Sequence, residues 1–85
     1  VIGINYKLEY GEDRLEIQDG LFKDNSKIMI IDDLLATGGT ASAAGELIRK
    51  AGGNLIGYAF LVELTNLNGR KKLDSKVFIE SIIKY

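Results

Sequence analysis

The sequence predicts an α/β domain with a mostly parallel sheet built around one βαβ unit. Three observations carry this. Ile28 to Ile31 (IMII) and Leu55 to Val62 (LIGYAFLV) are continuous apolar runs, the pattern of strands buried on both faces of a parallel sheet. Between them, Thr40 to Ala51 sets Ala41, Ala44, Leu47, Ile48 and Ala51 at helical spacing along one side. Strand, helix and strand in that order form a right-handed crossover.

The other elements can be taken in chain order. Val1 to Lys7 reads as a strand with Ile2, Ile4 and Tyr6 on one face. Leu8 to Arg14 (LEYGEDR) is polar around a glycine and reads as an exposed loop. In Arg14 to Gln18, Leu15 and Ile17 alternate with Glu16 and Gln18, a half-exposed strand that can pair with the first as a hairpin. Asp19 to Lys27 is turn-rich, with room for one helical turn around Leu21 and Phe22. Arg49 and Lys50 fall in the last turn of the central helix, where cations suit the helix dipole, and Gly52 and Gly53 end it. Thr65 to Lys72 is a polar loop whose basic run, Arg70 to Lys72, reads as a solvated face. Val77 to Ile83 (VFIESII) carries Glu80 and Ser81 and reads as a strand at or near a sheet edge.

Two strands buried on both faces need cover on both faces, and this chain offers one long helix. The other face is expected to be covered by residues outside these 85, or by a partner chain. A chain that opens on Val1, already inside strand-like sequence, points the same way. Residues 1–85 are therefore expected to be the C-terminal part of a longer protein.

Composition narrows the chemistry. Eleven basic against twelve acidic residues leave a net charge of −1, which argues against bulk binding to nucleic acid or to an anionic membrane. No apolar run approaches the roughly 20 residues of a membrane span. With no cysteine there is no disulfide or thiolate chemistry, and with no histidine the commonest general base and metal ligand are missing. A metal would be held by oxygen, which favours magnesium or calcium. The cytoplasm is the expected compartment.

The most informative stretch is Ile28 to Thr40, IMIIDDLLATGGT. A buried strand ends at Asp32 and Asp33, a short glycine-containing turn comes next, and a helix begins. That junction is where open α/β sheets bind ligands. Free N–H groups of a loop and a helix N-terminus suit a phosphate, and the two carboxylates suit hydroxyl donors or a metal, so a sugar phosphate fits both. The stretch is neither a Walker A loop nor a G-x-G-x-x-G fingerprint. On the residues alone a second reading stands beside this one. In it, Asp32 and Asp33 are solvated turn residues and Thr37 is an ordinary helix N-cap.

Taken as a string, IMIIDDLLATGGT resembles the phosphoribosyl-pyrophosphate signature of the type I phosphoribosyltransferases. Its LLATGGT version is most similar to the adenine phosphoribosyltransferase branch. Tyr6 to Gly11 (YKLEYG), followed by Arg14 to Ile17, is similar to that family's mobile catalytic loop. Val62 to Leu73 (VELTNLNGRKKL) is similar to the segment that closes under the adenine ring. The resemblance implies a partial, Rossmann-like type I phosphoribosyltransferase fold and transfer of phosphoribosyl from 5-phosphoribosyl 1-pyrophosphate to adenine, giving AMP and pyrophosphate in purine salvage. It implies Asp32 and Asp33 at the ribose hydroxyls, and Ala36, Thr37, Gly38, Gly39 and Thr40 around the 5-phosphate. Glu9 and Tyr10 would be catalytic on the closing loop, and Leu64 would pack against the purine. Magnesium would be held mainly by substrate and water rather than by the chain, and the complete protein would be a homodimer. The alternatives are a sensing module of a purine repressor, which binds the sugar phosphate without transferring it, and an inactive fragment.

Overall fold

The computed structural model describes residues 1–8 and 10–85. Ile2–Leu8 (β1) and Gly11–Ile17 (β2) form an antiparallel hairpin. Lys27–Leu35 (β3), Asn54–Glu63 (β4) and Phe78–Lys84 (β5) form a three-stranded parallel sheet in the order β3-β4-β5. Gly39–Lys50 (α1) crosses from β3 to β4, and two 3₁₀ turns, Thr65–Leu67 and Gly69–Lys72, lie between β4 and β5. The parallel sheet, its βαβ unit and the edge position of β5 match the expectation from sequence.

The core lies between the sheet and α1. Leu35, Leu55, Tyr58, Phe60 and Leu73 are buried together, with Ile30, Ile48, Val77 and Ile79 packed around them. Tyr58 and Phe60, two apart on β4, point the same way and stack with ring centroids 6.2 Å apart. Side chains of this size contribute about 1.5–3 kcal/mol each on full burial. Burial also raises the Tyr58 hydroxyl above the ordinary tyrosine pKa.

Three expectations need correcting. The stretch after Leu8 is not a loop of seven residues: β2 already begins at Gly11, whose φ of +124° allows the tight turn. Its polar residues suit the solvent side of a hairpin, where Arg14 donates to Glu16 at 3.0 Å and to Asn5 at 3.0 Å. Asp19 to Lys27 contains turns and bends but no helical turn at Leu21 and Phe22. The buried arc of α1 takes in Ala43 and Gly45 as well as Leu47: Gly45 faces Tyr58 and Leu55 of the sheet, and the hairpin packs on a second side of the helix. As the single long helix led one to expect, β3 and β4 are covered on one face only, leaving Ile31 76% and Leu61 49% exposed. Their apolar runs reflect what such strands are made to be covered by, and the described residues supply half of it.

The basic run also departs from the solvated reading. Arg70 donates through Nε to both carboxylate oxygens of Glu63 at 2.9 Å and through Nη1 to the Ile79 carbonyl at 3.0 Å. Glu63, only 4% exposed, also accepts from the Ser81 hydroxyl at 2.8 Å. The Arg70 hydrogen bond in particular holds the Glu63 carboxyl below the usual carboxylate pKa. Lys71 and Lys72 remain exposed.

This packing can be tested at two points. A Cβ on Gly45 would fall on the Tyr58 hydroxyl and stand 3.1 Å from Leu55. Gly45→Ala is expected to destabilise the chain by about 1–3 kcal/mol in urea unfolding, despite the roughly 1 kcal/mol that alanine adds to an ordinary helix position. Adding Tyr58→Phe should recover part of the loss, and an unchanged midpoint would contradict the close contact. Glu63→Gln leaves the Arg70 guanidinium without its counter-charge and should cost about 2 kcal/mol near neutral pH, less than for a fully buried pair because Arg70 is partly exposed. A lowered carboxylate pKa contributes stability that is present above the unfolded value of about 4.3 and lost as pH falls through the folded value. The gap between parent and variant should therefore narrow on acidification, and a gap that holds constant down to about pH 2 would refute the linkage.

Candidate functional site

β3 runs on past its apolar stretch, so Asp32 and Asp33 lie within the strand that pairs with β4, and both are exposed. Leu35, 1% exposed, anchors the end of the strand in the core. Three residues, Ala36, Thr37 and Gly38, then connect β3 to α1. So short a connection is possible because Gly38 takes a left-handed conformation at φ +88°, where a residue with a side chain would be strained.

That geometry decides between the two readings of Thr37. The N-cap of α1 is Gly38, and no side chain caps it. Among the described residues, the amides of Thr37, Gly38, Gly39 and Thr40 find no acceptor, and the first recorded bond runs from Ser42 N–H to the Gly38 carbonyl at 2.9 Å. The first turn of α1 also lacks any acidic residue. A row of free N–H groups at the positive end of a 12-residue helix, with no carboxylate to neutralise it, is equipped to hold an anion.

Asp32 through Ala41 line one cleft of about 270 Å³. The structure thus brings Asp32, Asp33, Ala36, Thr37, Gly38, Gly39 and Thr40 together around one cleft. The Asp33 N–H donates to an Asp32 carboxylate oxygen at 2.8 Å, which orients that side chain. Among the described residues, no lysine or arginine lines the cleft.

The other expected residues stand differently. Glu9 lies outside the described residues. Tyr10, at the hairpin tip, is 92% exposed and does not line the cleft. Leu64 does not line it either, but its N–H donates to the Leu35 carbonyl at 3.0 Å, which fixes it beside the cleft floor. For Tyr6, the sequence alone offers only a place on one face of a strand. Its hydroxyl shares a hydrogen bond of 3.4 Å with the Thr40 hydroxyl, so the hairpin touches the helix N-terminus. The alternation of Ile2, Ile4 and Tyr6 is the available signal that this side chain faces the helix. A second cleft, of about 310 Å³, lies between the hairpin and α1, lined in part by Tyr6, Lys7, Ser42 and Lys72.

Comparison with known proteins agrees with this geometry. Residues 9–84 match the model of the phosphoribosyl transferase domain. The adenine phosphoribosyltransferase of Prochlorococcus marinus (strain NATL2A) is 74% identical over 85 residues, all of this chain and 49% of that protein. The crystal structure of adenine phosphoribosyltransferase from Thermoanaerobacter pseudethanolicus superposes with a TM-score of 0.91 at 47% identity, covering 98% of this chain and 48% of that one. The enzyme from Saccharomyces cerevisiae, complexed with an imino-altritol bisphosphate and adenine, has a TM-score of 0.83 at 45% identity, covering 91% of this chain and 44% of that one. The chain spans about half the length of these relatives. A domain model matched across nearly all of the chain, on a fold and a cleft of the kind described, leaves one assignment: this chain belongs to the phosphoribosyl transferase domain family.

Proposed function

We propose that this chain supplies the ribose-5-phosphate half of an adenine phosphoribosyltransferase site, as the C-terminal part of a single such domain. The observation that carries the reading is the single cleft lined both by Asp32 and Asp33 and by the uncapped N-terminus of α1. The relatives it matches along its whole length bear the transferase name, which favours transfer over sensing.

In this reading the amides of Ala36 to Thr40 and the two threonine hydroxyls hold the 5-phosphate. Gly38 and Gly39 leave the backbone open to it. Asp32 and Asp33 accept hydrogen bonds from the ribose hydroxyls and place negative charge near C1, where positive charge develops as the bond to pyrophosphate breaks. N9 of adenine attacks C1, pyrophosphate departs with the bonding electrons, and the N9 proton passes to a base, for which Glu9 is the candidate. Tyr10, its neighbour in sequence, closes over the reactants with it, excluding water that would hydrolyse the donor. Leu64 packs against the purine.

Magnesium belongs to the proposal as part of the donor. The chain has no histidine or cysteine, and among the described residues no group of three ligating side chains exists. Asp32 and Asp33 are the acids that line the cleft. That set fits an ion held mainly by substrate oxygens and water. When bound, it offsets charge on the departing pyrophosphate. A cytoplasmic homodimer is part of the same reading for the complete protein.

Calorimetry with ribose 5-phosphate, and with the magnesium complex of phosphoribosyl pyrophosphate, tests the site. The chain is expected to bind both saturably. Asp32→Asn with Asp33→Asn should weaken binding by at least about tenfold, since a hydrogen bond to a charged group contributes about 1.5–3 kcal/mol. Binding unaffected by the double substitution would remove the carboxylates from the site. In the complete domain, Glu9→Ala is expected to abolish AMP formation while donor binding stays nearly intact. Parental turnover in that variant would take Glu9 out of the chemistry, and a complete domain that binds the donor without forming AMP would be a sensor.

A further inference from the structure

The phosphate loop is braced from behind by a backbone that the proposed chemistry does not use. A Cβ on Gly38 would run into the Gly69 carbonyl oxygen, and its nearest further neighbours are the Gly69 carbonyl carbon at 3.0 Å and Cα at 3.1 Å. The reverse also holds. A Cβ on Gly69 would run into the Ala36 carbonyl oxygen, 3.0 Å from Leu35 Cδ1 and 3.2 Å from the Gly38 amide nitrogen. Both glycines are buried. Two backbone segments far apart in sequence therefore meet with no side chain between them.

Gly69 is held there by its C-terminal neighbours. Arg70 is tied to Glu63 at the end of β4 and to the Ile79 carbonyl on β5, and Ser81 of β5 donates to the same carboxylate. Leu73, 6% exposed, closes the segment into the core. At its other end, the Leu64 N–H is bound to Leu35. The segment is thus fixed to the ends of two strands, and its free point of contact is the loop whose amides face the cleft.

We propose that Gly69 and Arg70 are positioning residues for the phosphate loop. Gly69 serves as a backstop for the Ala36–Gly38 peptides, and Arg70, through Glu63, sets where that backstop stands. This rests on the reading of the cleft as a sugar-phosphate site. The physical ground is the directionality of hydrogen bonds: an N–H weakens as a donor once its angle to the acceptor falls much below about 150°. A methyl group inserted between Gly69 and Ala36 must push the loop peptides aside and turn their N–H groups away from a common target.

The experiment is ribose 5-phosphate binding by calorimetry to the full chain and to Gly69→Ala, Arg70→Lys and Lys71→Ala, with amide NMR spectra of each without ligand. Gly69→Ala is expected to raise Kd at least tenfold and to shift the amide resonances of Thr37, Gly38 and Gly39, while the spectrum elsewhere stays that of a folded chain. Arg70→Lys keeps the charge but loses the forked contact, and should raise Kd several-fold with smaller shifts at the same amides. It stands in for Gly69→Ala should that variant fail to fold. Lys71→Ala, on the exposed side, should bind as the parent does. Parental affinity in Gly69→Ala, or in Arg70→Lys where only that variant folds, overturns the proposal alone. A parent chain that does not bind ribose 5-phosphate overturns the reading of the cleft, and the backstop with it.

Discussion

Helix α1 can lie low on the sheet because Gly45 has no side chain where the Tyr58 hydroxyl comes up beneath it. Much else depends on that approach. The connection from β3 to α1 is only Ala36 to Gly38, too short to reach a helix standing further off. With the helix at this height, one left-handed glycine suffices to turn the chain from the end of β3 into the first helical turn. No residue is left over to fold back as a cap. The free amides of the loop are therefore a product of close packing several residues away, and the core and the anion-holding geometry share one cause.

With one helix over the sheet among the described residues, the core is one-sided. Leu35, Tyr58 and Phe60 are sealed by α1 and the segment around Leu73, while Met29, Ile31, Leu61 and Ile82 stand exposed. The hairpin lies against α1 rather than against the open side of the sheet. Its position places Tyr6 at Thr40, so the hairpin that ends in Tyr10 begins from a point already in contact with the cleft.

Parts of this are legible in the sequence for physical reasons. The crossover is, because apolar runs, helical spacing and a pair of glycines after the helix each report a local requirement, and all three agree. The cleft is legible as a string of residues, since carboxylates, turn and helix start are contiguous. The hairpin turn is not, because a tight turn needs only one permissive residue, here Gly11, and the polar residues beyond it look like loop. Arg70 escapes a sequence reading because its partners, Glu63, Ile79 and Ser81, lie on two strands that meet only in the folded sheet. A lone acid at the end of β4's apolar run is the available hint that a cation waits elsewhere. The Gly38–Gly69 contact leaves no trace in composition or period, because backbone approach is specified by the absence of side chains.

The lining of the cleft carries two carboxylates and, among the described residues, no basic side chain. On the proposed reading, then, local charge does not draw a phosphate in; directed amides and a helix terminus hold it at short range. A site of that kind reads shape more than charge. Its affinity for a phosphate ester should vary little with ionic strength, unlike a lysine-lined pocket, whose long-range attraction is screened within about 8–10 Å at ordinary salt. It is also suited to tell a tetrahedral phosphate from a planar carboxylate of equal charge, because the amides that must be satisfied are fixed in direction before the ligand arrives.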